Sequence, residues 1–336
     1  MPSEAQNLAV REGDWVVRDF RFHTGEMLPE LRLHYTTLGV PTGEPVLFLH
    51  GTGQSGANFL NDNFSGQLFA PGGPLDANRY FIILPDAIGH GGSSRPSDGL
   101  RARFPRYNYD DMVAAQYRLL TEHLGVRRVR VVMGSSMGGM HAWIWGGKYP
   151  GFMDMIVPLA SEPVAMSGRN WMLRRMVIDA IRADPGWRDG NYTTQPTAWR
   201  TQQVYFQIAT TGGALALYTA APTRAQADAV LSTRLSAGAA GDTNDTLYQF
   251  ESAGDYDPTR DLSRITARVL AINSADDERN PPELGVMEQA MMRLKDGRYV
   301  LLPVTAASRG HGTLQNASLW KQHLAAALVD LPTPRP

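Results

Sequence analysis

The 336-residue chain contains no cysteine. That excludes disulfides, thiol nucleophiles, cysteine-ligated zinc and iron–sulfur clusters at once. A chain of this length needs no such staple, because it buries roughly three quarters of its unfolded surface. It also lacks an excess of charge: 32 basic residues face 33 acidic ones, a net −1. No electrostatic footprint for nucleic acid or an anionic membrane is therefore expected. The basic run Arg127, Arg128 and Arg130 reads as a solvated edge before a strand. No apolar run approaches the ~20 residues of a membrane span. The N-terminus, M-P-S-E-A-Q-N-L-A-V-R-E, has neither the basic start nor the apolar core of an export signal. The expected compartment is the cytoplasm for the chain as given, or the periplasm or exterior if a leader was removed. Neither His-Glu-x-x-His nor G-x-x-x-x-G-K occurs. G-D-T-N-D-T (241–246) has calcium-like oxygens without the loop spacing or terminal glutamate, and reads as a polar turn. No metal and no cofactor is expected.

What the chain does have is a series of short apolar runs. Val46–Leu49, Tyr80–Leu84, Val129–Met133, Met155–Leu159 and Val269–Ile272 read as strands of a parallel sheet buried on both faces, and Arg298–Leu302 reads as the last strand. Residues 15–22 and 30–38 alternate apolar and polar, as a half-exposed pair at a sheet edge does. Helical periodicity lies between, at Tyr109–His123, Met137–Lys148, Pro282–Leu294 and Thr313–Leu328. This alternation implies a doubly wound α/β sheet. From 163 to 255 the period is helical throughout, too long for a loop. The expected organisation is a core in two parts, 1–162 and 256–336, with a helical lid at 163–255. The Ala- and Gly-rich stretch 235–242 reads as a loop of that lid.

The chemistry is carried by V-R-V-V-M-G-S-S-M-G-G-M (129–140). G-x-S-x-G between a buried strand and a helix is the nucleophile-elbow pattern. Strand and helix pass close at this corner, so Gly134 and Gly138 must be small, and Gly139 widens the clearance. Ser136 is then the nucleophile, and the Met137 amide faces the same point as an oxyanion donor. Ser135 reads as a small residue packed in the corner. In this arrangement the acid and histidine follow the serine in the chain. Among eight histidines only His311 and His323 lie beyond the lid. His311, in S-R-G-H-G-T after the last strand, is the candidate base; His323 reads as a helix-surface residue. In S-A-D-D-E-R-N-P-P-E both Asp276 and Asp277 are candidates for the orienting acid, with Asp277 preferred. The second oxyanion donor is expected at the Thr52 amide, next to Gly51 in the loop after the first central strand. His50, Asp86 and His90 read as loop-shaping. Gly51, Trp171, Tyr205 and Phe206 are candidate pocket residues; Trp143 and Trp145 read as packing residues behind the elbow.

These segments resemble the α/β-hydrolase superfamily and, within it, the homoserine O-acetyltransferase family. G-S-S-M-G-G-M at the elbow, A-I-R-A-D-P-G-W-R-D-G-N-Y (180–192) and T-L-Y-Q-F-E-S-A-G-D-Y-D-P (246–258) carry the likeness, which runs from about residue 15 to 325. It implies the α/β-hydrolase fold, a mostly parallel sheet flanked by helices with an inserted helical lid. It also implies Ser136, Asp277 and His311 as the triad, Thr52 and Met137 as oxyanion donors, and a homodimer formed through the lid. Two features depart from the acetyltransferases. Gly312 stands where their aspartate binds the substrate ammonium, and 163–250 holds no Arg-x6-Tyr pair for its carboxylate. A buried ammonium and carboxylate without partners are costly. The expected activity is therefore hydrolysis of a small carboxylic ester through an acyl-enzyme. An O-acyltransferase moving an acetyl group from acetyl-CoA to an alcohol is the alternative. A non-catalytic binding protein on the same scaffold is a remote third.

Overall fold

Eight strands form one sheet: β1 (Val10–Arg21), β2 (Met27–Leu38), β3 (Glu44–Leu49), β4 (Tyr80–Pro85), β5 (Val129–Ser135), β6 (Met153–Leu159), β7 (Arg268–Ser274) and β8 (Gly297–Leu302). They are seen in a computed structural model that describes residues 9–237 and 241–331. Residues 1–8 of the N-terminal segment, and 238–240 of the Ala- and Gly-rich stretch, lie outside the described residues. The strand order is β1-β2-β4-β3-β5-β6-β7-β8. β1 and β2 pair antiparallel, and β2 joins β4 antiparallel. The remaining neighbours are parallel. The alternating runs thus form the edge hairpin, the runs from Val46 to Ile272 form the parallel interior, and β8 closes the opposite edge with most of its residues exposed or half-buried. β4 and β5 are buried along their whole length, which explains why their sequences do not alternate.

Helices cover both faces. α1 (Ser65–Leu68) and α10 (Lys321–Val329) lie on one side, where Phe48, Phe64, Leu68, Trp320 and Leu324 share a core. α2 (Tyr109–Arg118), α3 (Met137–Lys148) and α9 (Val286–Met291) lie on the other, around Tyr109, Met112, Trp143, Trp145 and Met287. α2 is closed by a capping box in which Asn108 accepts from the Asp111 amide and ends in a π-turn, Leu119–His123.

Two helices expected from periodicity are shorter than the pattern suggests. The 282–294 segment is a 3-10 turn (Pro282–Leu284) and then α9, separated by Gly285 in the left-handed region at φ 65°. The 313–328 segment begins with two 3-10 turns, Gly310–Gln315 and Ala317–Leu319, and α10 starts only at Lys321. Apolar spacing does not distinguish a 3-10 turn from the first turn of an α-helix. G-D-T-N-D-T is also more than a turn. Asp242 caps α8 (Thr243–Glu251), accepting from the Asn244 and Asp245 amides.

Between β6 and β7 the chain forms only helices among its described residues: α4 (Gly168–Ala183), α5 (Arg200–Thr211), α6 (Ala214–Ala220), α7 (Arg224–Ser236) and α8. They have a core of their own, in which Leu173, Val177, Ile181, Trp199, Phe206 and Phe250 pack together. Among the described residues no helix is long and apolar enough to cross a membrane.

Candidate functional site

The corner between β5 and α3 is held by close approach of backbone. A Cβ on Gly134 would stand 2.5 Å from the Gly138 carbonyl, and one on Gly138 would stand 2.0 Å from the Leu49 oxygen. One on Gly139 would meet the Leu159 oxygen at 2.6 Å. Ser136 sits at the apex with φ 57° and ψ −115°. A non-glycine residue there stores backbone strain that the neighbouring packing must hold. Met137 is the first residue of α3, so its amide is a helix-terminal donor without an intrahelical acceptor, next to the positive end of the helix dipole.

His311 arrives on the 3-10 turn that follows β8. Its Nε2 lies 2.8 Å from Ser136 Oγ, and its Nδ1 lies 2.8 and 3.0 Å from the two oxygens of Asp277. Asp277, on the loop after β7, is 2% exposed and also accepts from the Arg279 amide and from Asn280 Nδ2. Burial alone would raise the Asp277 carboxyl; the His311 partner and these donors together hold it below the usual carboxylate range. His311 is itself pushed down, first by burial and then by Arg279 and Arg174, against the opposing charge of Asp277. A histidine so placed rests neutral at pH 7, with Nδ1–H donated to Asp277 and Nε2 free to take a proton.

The two adjacent aspartates have separate engagements. Asp276 accepts the Gly310 amide at 2.8 Å and the Ser274 hydroxyl, so it ties down the loop that carries His311. Ser135 Oγ accepts from Gln315 at 3.3 Å. His50 accepts the Ala87 amide on Nε2 and donates Nδ1–H to the Gly51 carbonyl. Asp86 accepts from the Gly56 and Gly92 amides, and His90 Nδ1 meets the Ile88 carbonyl. These three shape the strand-end loops. Among the described residues no group of three or more His, Asp or Glu could hold a metal ion.

A cavity of about 770 Å³ opens over Ser136 and His311. Gly51, Thr52 and Phe206 line it. Tyr205 does not: it follows Val204 on α5, faces outward and is 53% exposed. Trp171 packs instead against the helices' own core and Gly254. On α5 Gln203, Val204, Phe206 and Gln207 line the cavity, and at about 100° per residue Tyr205 falls on the opposite side of the helix. The Oγ1 of Thr52 is buried without a partner.

No Arg-x6-Tyr pair occurs in 163–250, but two other arginines, Arg174 of α4 and Arg279 of the loop after β7, line this cavity. The signal was present. Asn170, Leu173, Arg174, Val177, Ile178 and Ile181 form the buried stripe of α4, and an arginine on an apolar stripe points inward.

Similarity to other proteins follows the same lines. The chain is 28% identical over 284 residues to a "Probable acyltransferase" of Methanothermobacter thermautotrophicus, covering 82% of this chain and 86% of that one. It is 34% identical over 213 residues to the homoserine O-acetyltransferase of Thermobifida fusca, covering 56% of each chain; the match thus spans about half of that enzyme. The crystal structure of esterase E22 superposes with a TM-score of 0.81 at 18% identity, covering 95% of this chain and 100% of that one. The sequence profile of the alpha/beta hydrolase fold matches residues 44–300, and the chain belongs to that family.

Proposed function

We propose that the chain is a serine hydrolase that cleaves a carboxylic ester through an acyl-enzyme. The observation that carries this reading is the unbroken hydrogen-bond chain from Ser136 Oγ through His311 to Asp277 at the floor of the cavity. Ser136 Oγ attacks the ester carbonyl while its proton passes to His311 Nε2. Asp277 stabilises the imidazolium and fixes its tautomer. The Met137 and Thr52 amides receive the developing oxyanion. Collapse expels the alcohol, which takes the proton from His311, and water, activated by the same nitrogen, releases the acid.

In this reading the helices of 163–255 act as a lid, and the exposed Met172, Met176 and Tyr218 on them are candidates for a homodimer contact. Transfer of the acyl group to an alcohol instead of water is the second reading, favoured by the acyltransferases among the relatives. Both share every step up to the acyl-enzyme.

The test follows acid release from short p-nitrophenyl esters, then product formation from acetyl-CoA with homoserine. Ester hydrolysis that falls on the order of 10⁶-fold in Ser136→Ala, with no acetylated amino acid formed, supports the esterase. Acetylhomoserine accumulating faster than free acetate would establish the transferase.

A further inference from the structure

Arg174 is 1% exposed. Its Nε donates to Asn170 Oδ1 at 3.1 Å, and its buried Nη1 has no partner. Arg279 donates from Nη2 to Thr211 Oγ1 at 2.9 Å and leaves a buried Nε unpaired. Both guanidiniums lie against one ring, with their carbons 5.7 and 4.5 Å from the centre of Phe206. Among the described residues neither forms an ion pair with a carboxylate.

The acids nearby are already committed. Asp277 serves His311, Asn280 and the Arg279 amide. Asp242 caps α8. Asp245 accepts from Ser97 and lies 3.7 Å from Arg95.

Two like charges with unmet donors are an unfavourable arrangement inside a protein. They disfavour one another: burial and then Arg174 push Arg279 down to about 9. The aromatic face offers only weak compensation. Buried donors left unpaired in a native structure call for a specific reason, and here both stand on the wall of the cavity that holds Ser136. Each arginine contributes a buried nitrogen without a partner, Nη1 of Arg174 and Nε of Arg279, and a carboxylate has two oxygens to receive them. Guanidinium–carboxylate bonds are charge-assisted and directional.

Resting on the hydrolase or transferase reading above, we propose that the substrate carries a carboxylate, held by Arg174 and Arg279 while the ester carbonyl lies at Ser136. The carboxylate belongs either to the acyl part, as in a half-ester of a dicarboxylic acid, or to the alcohol part, as in an acylated hydroxy acid.

Two substrate pairs separate these sources. On the acyl side, mono-p-nitrophenyl succinate is compared with the p-nitrophenyl ester of succinamic acid. On the alcohol side, O-acetyl-3-hydroxybutyrate is compared with its amide. In one pair the carboxylate should exceed the amide in kcat/KM by on the order of 10²-fold. Arg174→Gln and Arg279→Gln should each collapse that ratio, chiefly through KM. Equal or better use of the amide in both pairs by the unaltered protein overturns the proposal, whether or not either variant folds. Calorimetric titration of Ser136→Ala with succinate and succinamide gives a readout without turnover. Succinate binding that is lost in Ser136→Ala/Arg279→Gln supports the anion site even if no ester is cleaved, in which case the hydrolase reading fails alone. Ser136-dependent turnover without carboxylate preference fails the anion site alone.

Discussion

Gly138→Ala tests whether the elbow geometry rests on close approach of backbone. The added Cβ would stand 2.0 Å from the Leu49 oxygen and 2.4 Å from its carbonyl carbon, against an ordinary contact of 3.4–4 Å. Leu49 cannot retreat. It ends β3, which is paired on both sides, with Leu49 opposite Gly134. The relief must come from α3 moving away from the sheet, and α3 begins at Met137, next to Ser136. Overpacking costs 1–3 kcal/mol in general, and with backbone on both sides about 3 kcal/mol is expected. A shift of about 1 Å at the nucleophile costs on the order of 10²-fold in turnover. Urea unfolding should show a lower midpoint at unchanged slope, alongside the drop in ester hydrolysis. Gly66→Ala, in α1, is the control: the atom nearest its added Cβ is Asp62 Oδ1 at 3.5 Å, so it should be neutral or stabilising by about 0.5 kcal/mol. Gly138→Ala matching that control in both stability and turnover would refute the close-approach reasoning.

Asp277→Asn should lower kcat by about 10⁴-fold, the loss that follows when a triad imidazole takes the wrong tautomer. Asp276→Ala removes the acceptor of the Gly310 amide and of the Ser274 hydroxyl and should cost far less; equal losses would mean the two acids are misassigned. Because burial, Arg279 and Arg174 hold His311 below the usual histidine range, kcat/KM should rise along an acid limb below that range and be flat through neutrality. Removing Arg279 as glutamine takes away a charge that lowers His311, so the limb moves to higher pH. Removing the Asp277 charge moves it to lower pH, and pH profiles of the two variants should separate in those opposite directions. Trp320→Ala deletes a fully buried ring that packs near Phe64 and leaves the Leu314 carbonyl without its donor. It should cost about 3–5 kcal/mol in urea unfolding.

The central strands were legible because burial on both faces produces unbroken apolar runs, and the elbow because strand, glycines and helix are contiguous in the chain. His311 was legible because strand-end loops deliver side chains to one edge of a parallel sheet. The choice between Asp276 and Asp277 was less so, since adjacent residues differ only in which way the loop aims them. The breaks at Gly285 and before Lys321 escaped periodicity, because a turn of 3-10 helix keeps similar apolar spacing. Tyr205 and Trp171 were read as pocket residues from composition alone, whereas the face of each helix is set by tertiary packing. The arginine cluster was missed for a related reason. Arg174 and Arg279 are 105 positions apart, and no local pattern announces that α4 and the acid loop meet across Phe206.

The proposed chemistry requires Ser136 to be an activated nucleophile. Intact-protein mass spectrometry after treatment with a fluorophosphonate, followed by peptide mapping, addresses it directly. A single adduct on Ser136, absent in Ser136→Ala and strongly slowed in His311→Gln, is the expected result. An adduct on Ser135 instead, or folded protein that takes up no label, would contradict it.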